Sequence, residues 1–238
     1  MIKYMLLGIG GLLLLILLVT GIRIVLLRHS VGVYSAYWQK ENAKPLEPGA
    51  LVYIALGDST AQGIGASNPR KGYVGLMADY IAQQTGKKVQ VINISVSGAK
   101  VDDLVKTQLP QLKNLPKPDF MTVEIGANDI GAFNADSFKI EYTDFLNGLP
   151  AGVIVSDVPS FKGTIHGNLD AKVLQANQII TLLMAEKPQF YVAHLYADTS
   201  NQGYFNGAAD TFHPNDHGYK NWAKAFKDTL DTNNLLKK

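Results

Sequence analysis

The stretch Tyr53-Ile54-Ala55-Leu56-Gly57-Asp58-Ser59 constrains this chain more than any other, because a short apolar run breaks off abruptly on Gly-Asp-Ser. A continuous apolar run of this length is the pattern of a strand buried on both faces. In an open α/β sheet, ligands sit outside the carboxyl ends of the strands, so Ser59 stands where such a sheet presents a nucleophile. A lone Ser after a strand is also an ordinary turn or helix cap. Its weight comes from three later loops, Ser97-Gly98, Gly126-Ala127-Asn128-Asp129 and Asp210-Thr211-Phe212-His213-Pro214, each just after or near an expected strand end.

Four more short apolar runs follow, at 89–94, 120–125, 153–158 and 189–195, and helical spacing of apolar residues predicts helices near 73–84, 101–108, 138–149, 169–185 and 216–230. Strands alternating with helices in this way predict an α/β fold with a parallel five-stranded sheet and helices on both faces. No internal repeat or low-complexity tract interrupts the pattern.

Before the first strand, no residue from Met5 to Ile22 is charged, and Leu12 to Leu18 is nearly unbroken Leu and Ile. Eighteen helical residues reach about 27 Å, close to the hydrocarbon thickness of a bilayer. The core is longer than that of a cleaved signal peptide, so residues 1–28 are expected to form a retained transmembrane anchor. Residues 29–50 hold Tyr34, Tyr37 and Trp38 and end in Pro45-Leu46-Glu47-Pro48-Gly49, which predicts an interfacial aromatic patch and a stiff linker before a domain at 51–238. The flanking charges point the domain inward, yet long domains translocate largely regardless of charge, and an extracytoplasmic domain is the expectation.

The chain has 22 basic and 20 acidic residues, and Lys3, Arg23 and Arg28 lie in or beside the apolar segment. The rest is close to neutral, which excludes the electrostatic footprint of a nucleic-acid binder. The absence of cysteine excludes disulfides, thiolate metal sites and a Cys nucleophile.

A Ser hydroxyl needs a base to take its proton, and His213 suits that role because Asp210, three residues earlier, is placed to fix its tautomer. The N–H groups of Ser59 and Gly98 and the amide of Asn128 are the candidate oxyanion donors. His213 and His217 have the spacing of helical metal ligands, but Pro214 lies between them and no Glu follows His213, so no metal is expected.

Gly57-Asp58-Ser59, Gly98, Gly126-x-Asn128-Asp129 and Asp210-x-x-His213-Pro214, in this order, resemble the four blocks of the GDSL/SGNH hydrolase superfamily, over a region from about Leu51 to the C-terminus. The resemblance implies a flavodoxin-like three-layer sandwich with Ser59 as nucleophile, His213 as base, Asp210 as its partner, and Gly98 and Asn128 completing the oxyanion hole. It implies a serine esterase of lipase or acylhydrolase type acting on a small-molecule or lipid ester, without a cofactor. Thr60 departs from the Leu common at that position, and Ala61-Gln62-Gly63 from the commoner Thr-x-Gly. The rival readings are a membrane-tethered binding module on the same fold, and an acyltransferase or cell-envelope deacetylase. The loops at 63–73, 133–138 and 160–168 are expected to set specificity.

Overall fold

The computed structural model describes residues 2–201 and 203–236. Five parallel strands, β1 (Leu51–Gly57), β2 (Val89–Asn93), β3 (Phe120–Glu124), β4 (Ile154–Ser156) and β5 (Tyr191–Ala193), form one sheet in the order β2-β1-β3-β4-β5. The chain steps outward from β1 to β2 and then crosses to β3 on the other side of β1, so the switch point lies between the carboxyl ends of β1 and β3. The α/β sandwich expected from the sequence is the observed fold.

Helices α1 (Ile2–Asn42), α2 (Ser59–Gln62), α3 (Tyr73–Thr85), α4 (Val101–Thr107), α5 (Ala135–Gly148), α6 (Asp170–Ala185), α7 (Leu195–Thr199) and α8 (Gly218–Thr232) complete the layers. Side chains alternate across a strand. Val52, Ile54 and Leu56 thus pack with α4, α5 and α6 on one face, while Tyr53 and Ala55 pack with α3, α8 and Trp38 on the other. Both faces of β1 are covered, which is why its sequence reads as unbroken apolar residues rather than as an alternation.

The segment that follows the apolar span differs from the expected linker. Residues 29–42 do not form a linker but continue a single 41-residue helix, and only 43–50 connect it to β1. The aromatics that suggested a membrane interface are turned into the domain: Trp38 is 2% exposed and its Nε1 donates to the Gln62 carbonyl (3.0 Å), while the Tyr34 hydroxyl donates to the Ala66 carbonyl (2.8 Å). Asn42 and Asn93 exchange two bonds, Nδ2 to the Asn93 carbonyl (2.8 Å) and the Asn93 N–H to Oδ1 (2.9 Å). Aromatic residues followed by a proline-rich stretch suit both arrangements, and only burial separates them. Farther back, the helix is exposed from Gly8 to Arg23, and from Gly8 it is long and apolar enough to cross a membrane.

Because the last turns of α1 belong to the core, a fragment beginning at Leu51 leaves the Trp38 and Tyr34 seats open. It should unfold more easily than one beginning at His29 by about 3–5 kcal/mol, the usual cost of emptying a buried Trp site. Urea melts of the two fragments provide the comparison, and equal midpoints would show that the helix end adds nothing.

Candidate active site

β1 ends at Gly57, whose peptide is held by the buried Gln108: Gln108 Oε1 accepts its N–H (3.0 Å) and Nε2 donates to its carbonyl (2.8 Å). Gly57 has φ +140°, and a Cβ there would meet the Glu124 carbonyl oxygen at 2.2 Å, so no other residue fits. The chain then turns at once into α2. Asp58 caps that helix, its Oδ1 accepting the Thr60 N–H (2.9 Å) and the Thr60 hydroxyl (2.9 Å), which places Ser59 at the first helical position.

His213 arrives from a loop 154 residues later, with Nε2 at 2.9 Å from Ser59 Oγ. Its Nδ1 lies 2.6 Å from Asp210 Oδ2, while Asp210 Oδ1 accepts the backbone N–H groups of Phe212 (3.1 Å) and His213 (3.0 Å). One carboxylate thus fixes both the turn and the ring. Burial pushes the Asp210 carboxyl up, but the bonds from the His213 ring and from the two N–H groups outweigh it and hold the group below its ordinary value, ionised at neutral pH. With Asp210 ionised, the ring keeps its hydrogen on Nδ1, leaving Nε2 to accept from Ser59. Both ring nitrogens are thereby engaged, and His213 is not available to pair with His217 around a metal.

Gly65 brings the 63–73 loop against this turn; a Cβ there would meet the Pro214 carbonyl oxygen at 2.3 Å and His213 Cβ at 2.9 Å. Asp216 fastens the same loop through the Ser67 N–H (2.6 Å) and hydroxyl (2.9 Å).

The expected oxyanion donors divide into two kinds. Among the described residues, the N–H groups of Ser59 and Gly98 have no acceptor, and Gly98 adopts φ +81°. The Asn128 amide is engaged: Nδ2 donates to Asp58 Oδ2 (2.8 Å) and to the Ala99 carbonyl (3.0 Å). It laces together the loops that follow β1, β2 and β3, and one of its two bonds must be exchanged before it can serve a substrate oxygen. Asp129 Oδ2 accepts the Val101 N–H (3.3 Å) and adds a further tie to the loop after β2.

Sequence reasoning missed Glu124 and the task of Thr60. Glu124 ends β3 fully buried, with Oε2 in a short hydrogen bond to the Thr60 hydroxyl, which also contacts Asp58. One hydroxyl hydrogen cannot serve two carboxylates, so one acid must be protonated and donate. Glu124 is that acid: burial, then the neighbouring Asp58 charge, push its carboxyl well above the usual range. The signal was a single charged residue at the end of a buried, otherwise uncharged strand. Gln108 gave no comparable signal, standing at the end of an ordinary amphipathic helix. Asp157 and His194 meet at 3.8 Å beyond the ends of β4 and β5, and Asp157 Oδ1 accepts the Tyr196 N–H (2.7 Å). His166 packs against Phe161 and Phe212.

A Ser–His–Asp line at the switch point of a parallel α/β sheet is matched by the sequence model of the GDSL-like Lipase/Acylhydrolase family over residues 55–220. The chain belongs to this family. YpmR of Bacillus subtilis is 36% identical over 83 residues, 34% of this chain and 32% of that protein. A GDSL-like esterase of Mycobacterium tuberculosis is 31% identical over 97 residues, 41% of this chain and 29% of that one. The matches thus span about a third of each relative's length. Among solved structures, Axe2, an acetylxylan esterase from Geobacillus stearothermophilus, shares the fold with TM-score 0.58 at 20% identity, covering 78% of this chain and 96% of its own. The family match begins inside β1, so α1 lies outside it.

Burial above all pushes Asp129 up to about 7. Its folded value lies above its unfolded one, so the stability it contributes is complete below about pH 4 and declines as pH rises towards 7. Asp129→Asn should remove that decline. Urea unfolding of variant and parent across this range should show the variant gaining on the parent as pH rises, whereas parallel curves would mean that Asp129 is already ionised in the native state.

Proposed function

We propose that the chain is a serine esterase that hydrolyses carboxylic esters through an acyl-enzyme on Ser59, and that α1 is retained as its membrane anchor. The observation that carries the reading is the hydroxyl–imidazole–carboxylate line, 2.9 Å and 2.6 Å long, beside two N–H groups without acceptors.

Ser59 Oγ attacks the ester carbonyl carbon as its proton passes to His213 Nε2. The resulting imidazolium keeps its Nδ1–H on Asp210, and the negative oxygen takes the N–H groups of Ser59 and Gly98. When the intermediate collapses, the carbon–oxygen bond to the alcohol breaks and Nε2 returns the proton to the departing oxygen. Water then repeats the sequence on the acyl-enzyme, its proton passing to Nε2 and from there to Ser59 Oγ. A binding module on this fold would have no use for a base held in the proton-accepting tautomer against a hydroxyl, which weighs against the non-catalytic reading.

Ser59→Ala should lower ester hydrolysis by at least about three orders of magnitude and abolish labelling by a fluorophosphonate probe. A folded variant with undiminished turnover would refute the reading. Asn128→Ala should lower kcat about a hundredfold with little change in KM, because an oxyanion donor acts in the transition state and not in the ground state. Steady-state kinetics on a short-chain ester separate the two constants, and a rise in KM alone would remove Asn128 from the oxyanion hole.

A further inference from the structure

The edge of the sheet that carries the triad is also the edge past which α1 leaves the domain. Followed backwards from β1, the chain passes Glu47 beside Lys88 at the amino end of β2, and then Asn42 beside Asn93 at its carboxyl end. Trp38 beneath Gln62 and Tyr34 beneath Ala66 come next. Farther back, Arg23, Leu26 and Leu27 share a cavity with Ser67, Ala208 and Ala209, the last of which adjoins Asp210. The helix therefore runs from the amino edge past the carboxyl edge and beyond it. The loops around His213 reach the level of Leu26 and Leu27, where the exposed apolar turns begin. Leu27 lies about 16 Å along the axis from Trp38, so the triad sits close to the end of the apolar span and on the side facing it.

That edge also carries apolar tips. Val96, Ile165 and Phe205 are 45%, 65% and 94% exposed, and they stand in the connections leaving β2, β4 and β5. Leu46, Ile140, Leu174 and Leu182 are exposed singly elsewhere and need no explanation, so the weight lies in three such tips on the one edge from which an apolar helix emerges. Between α1 and the 93–97 loop runs a groove of about 460 Å³, walled by Val31, Trp38, Ile94 and Val96, that reaches Ser97 beside the oxyanion donor Gly98. Arg23 and Arg28 stand where the apolar span ends, in position to snorkel to lipid headgroups.

We propose that the catalytic edge lies against the bilayer that holds α1, and that the triad works on acyl esters of lipids carried in that bilayer. The second half rests on the esterase reading and the first does not. The geometry is the same whichever side of the membrane the domain occupies.

The absence of native cysteine makes a placement test direct. Full-length Phe205→Cys, Ile165→Cys and, on the opposite edge, Lys117→Cys are labelled with a fluorophore and reconstituted in phosphatidylcholine–phosphatidylglycerol vesicles. Spin-labelled lipid should quench the probes at 205 and 165 and leave 117 unaffected. Equal exposure of all three to a water-soluble quencher, or quenching at 117 alone, would overturn the placement. For the substrate, a flexible Gly/Ser insertion of about 20 residues after Arg28 should release the edge from its fixed height. It should lower hydrolysis of a fluorogenic phospholipid in the same vesicles about tenfold, through loss of effective concentration, with hydrolysis of aqueous p-nitrophenyl acetate unchanged. Undiminished phospholipid hydrolysis would overturn the lipid assignment. Ser59→Ala without effect on either ester would instead overturn the esterase reading, and the quenching result would stand apart from it.

Discussion

The pairing of β1 with β3 holds the rest in place. Its register runs from Tyr53 opposite Phe120 to Gly57 opposite Glu124, so the two strands end side by side and release their loops into the same space. The close approach at that end demands a glycine in β1, and the buried amide of Gln108 holds the glycine's peptide from behind. A slip of one residue would turn every β1 side chain to the opposite face and carry Asp58 and Ser59 away from Asn128. The geometry around Ser59 and the core packing are therefore set by the same set of backbone contacts.

Behind Ser59 lies a chain of polar groups that a core rarely tolerates. Neutral Glu124 donates to Thr60, Thr60 donates to Asp58, and Asp58 receives the amide of Asn128. An ionised, unpaired carboxylate at the Glu124 position would carry a desolvation penalty of several kcal/mol. Retaining the proton avoids that penalty and supplies a donor where one is needed. The Thr that departs from the commoner Leu next to Ser59 thus has a structural reason: a Leu could not relay a hydrogen between two acids.

Much of this was legible in the sequence. Buried strands write themselves as apolar runs and the loops after them as Gly, Ser, Asn and Asp, so the five strands, their order along the chain and the residues now seen around Ser59 could be read directly. Strand ends were less legible: the expected run 189–195 shrinks to Tyr191–Ala193 because Leu195 starts a helix whose entry is held by Asp157. The docking of Tyr34 and Trp38 was read as a membrane interface because an amphipathic aromatic satisfies either setting. No local pattern announces Gln108, whose partner is 51 residues away, and the lone Glu124 marks its strand without naming a partner 64 residues away.

If the apolar segment is held in a bilayer, as proposed, its continuity with the core has a kinetic consequence. A domain on a loose tether samples a hemisphere and meets reactants as a solute does, with a rate set by molecules per volume. A domain whose mast is built into its own interior keeps one height and one tilt, and its encounters follow lateral diffusion. On the proposed lipid substrate the natural variable is then molecules per unit area, so diluting the suspension would leave turnover unchanged while diluting the substrate within the plane would reduce it.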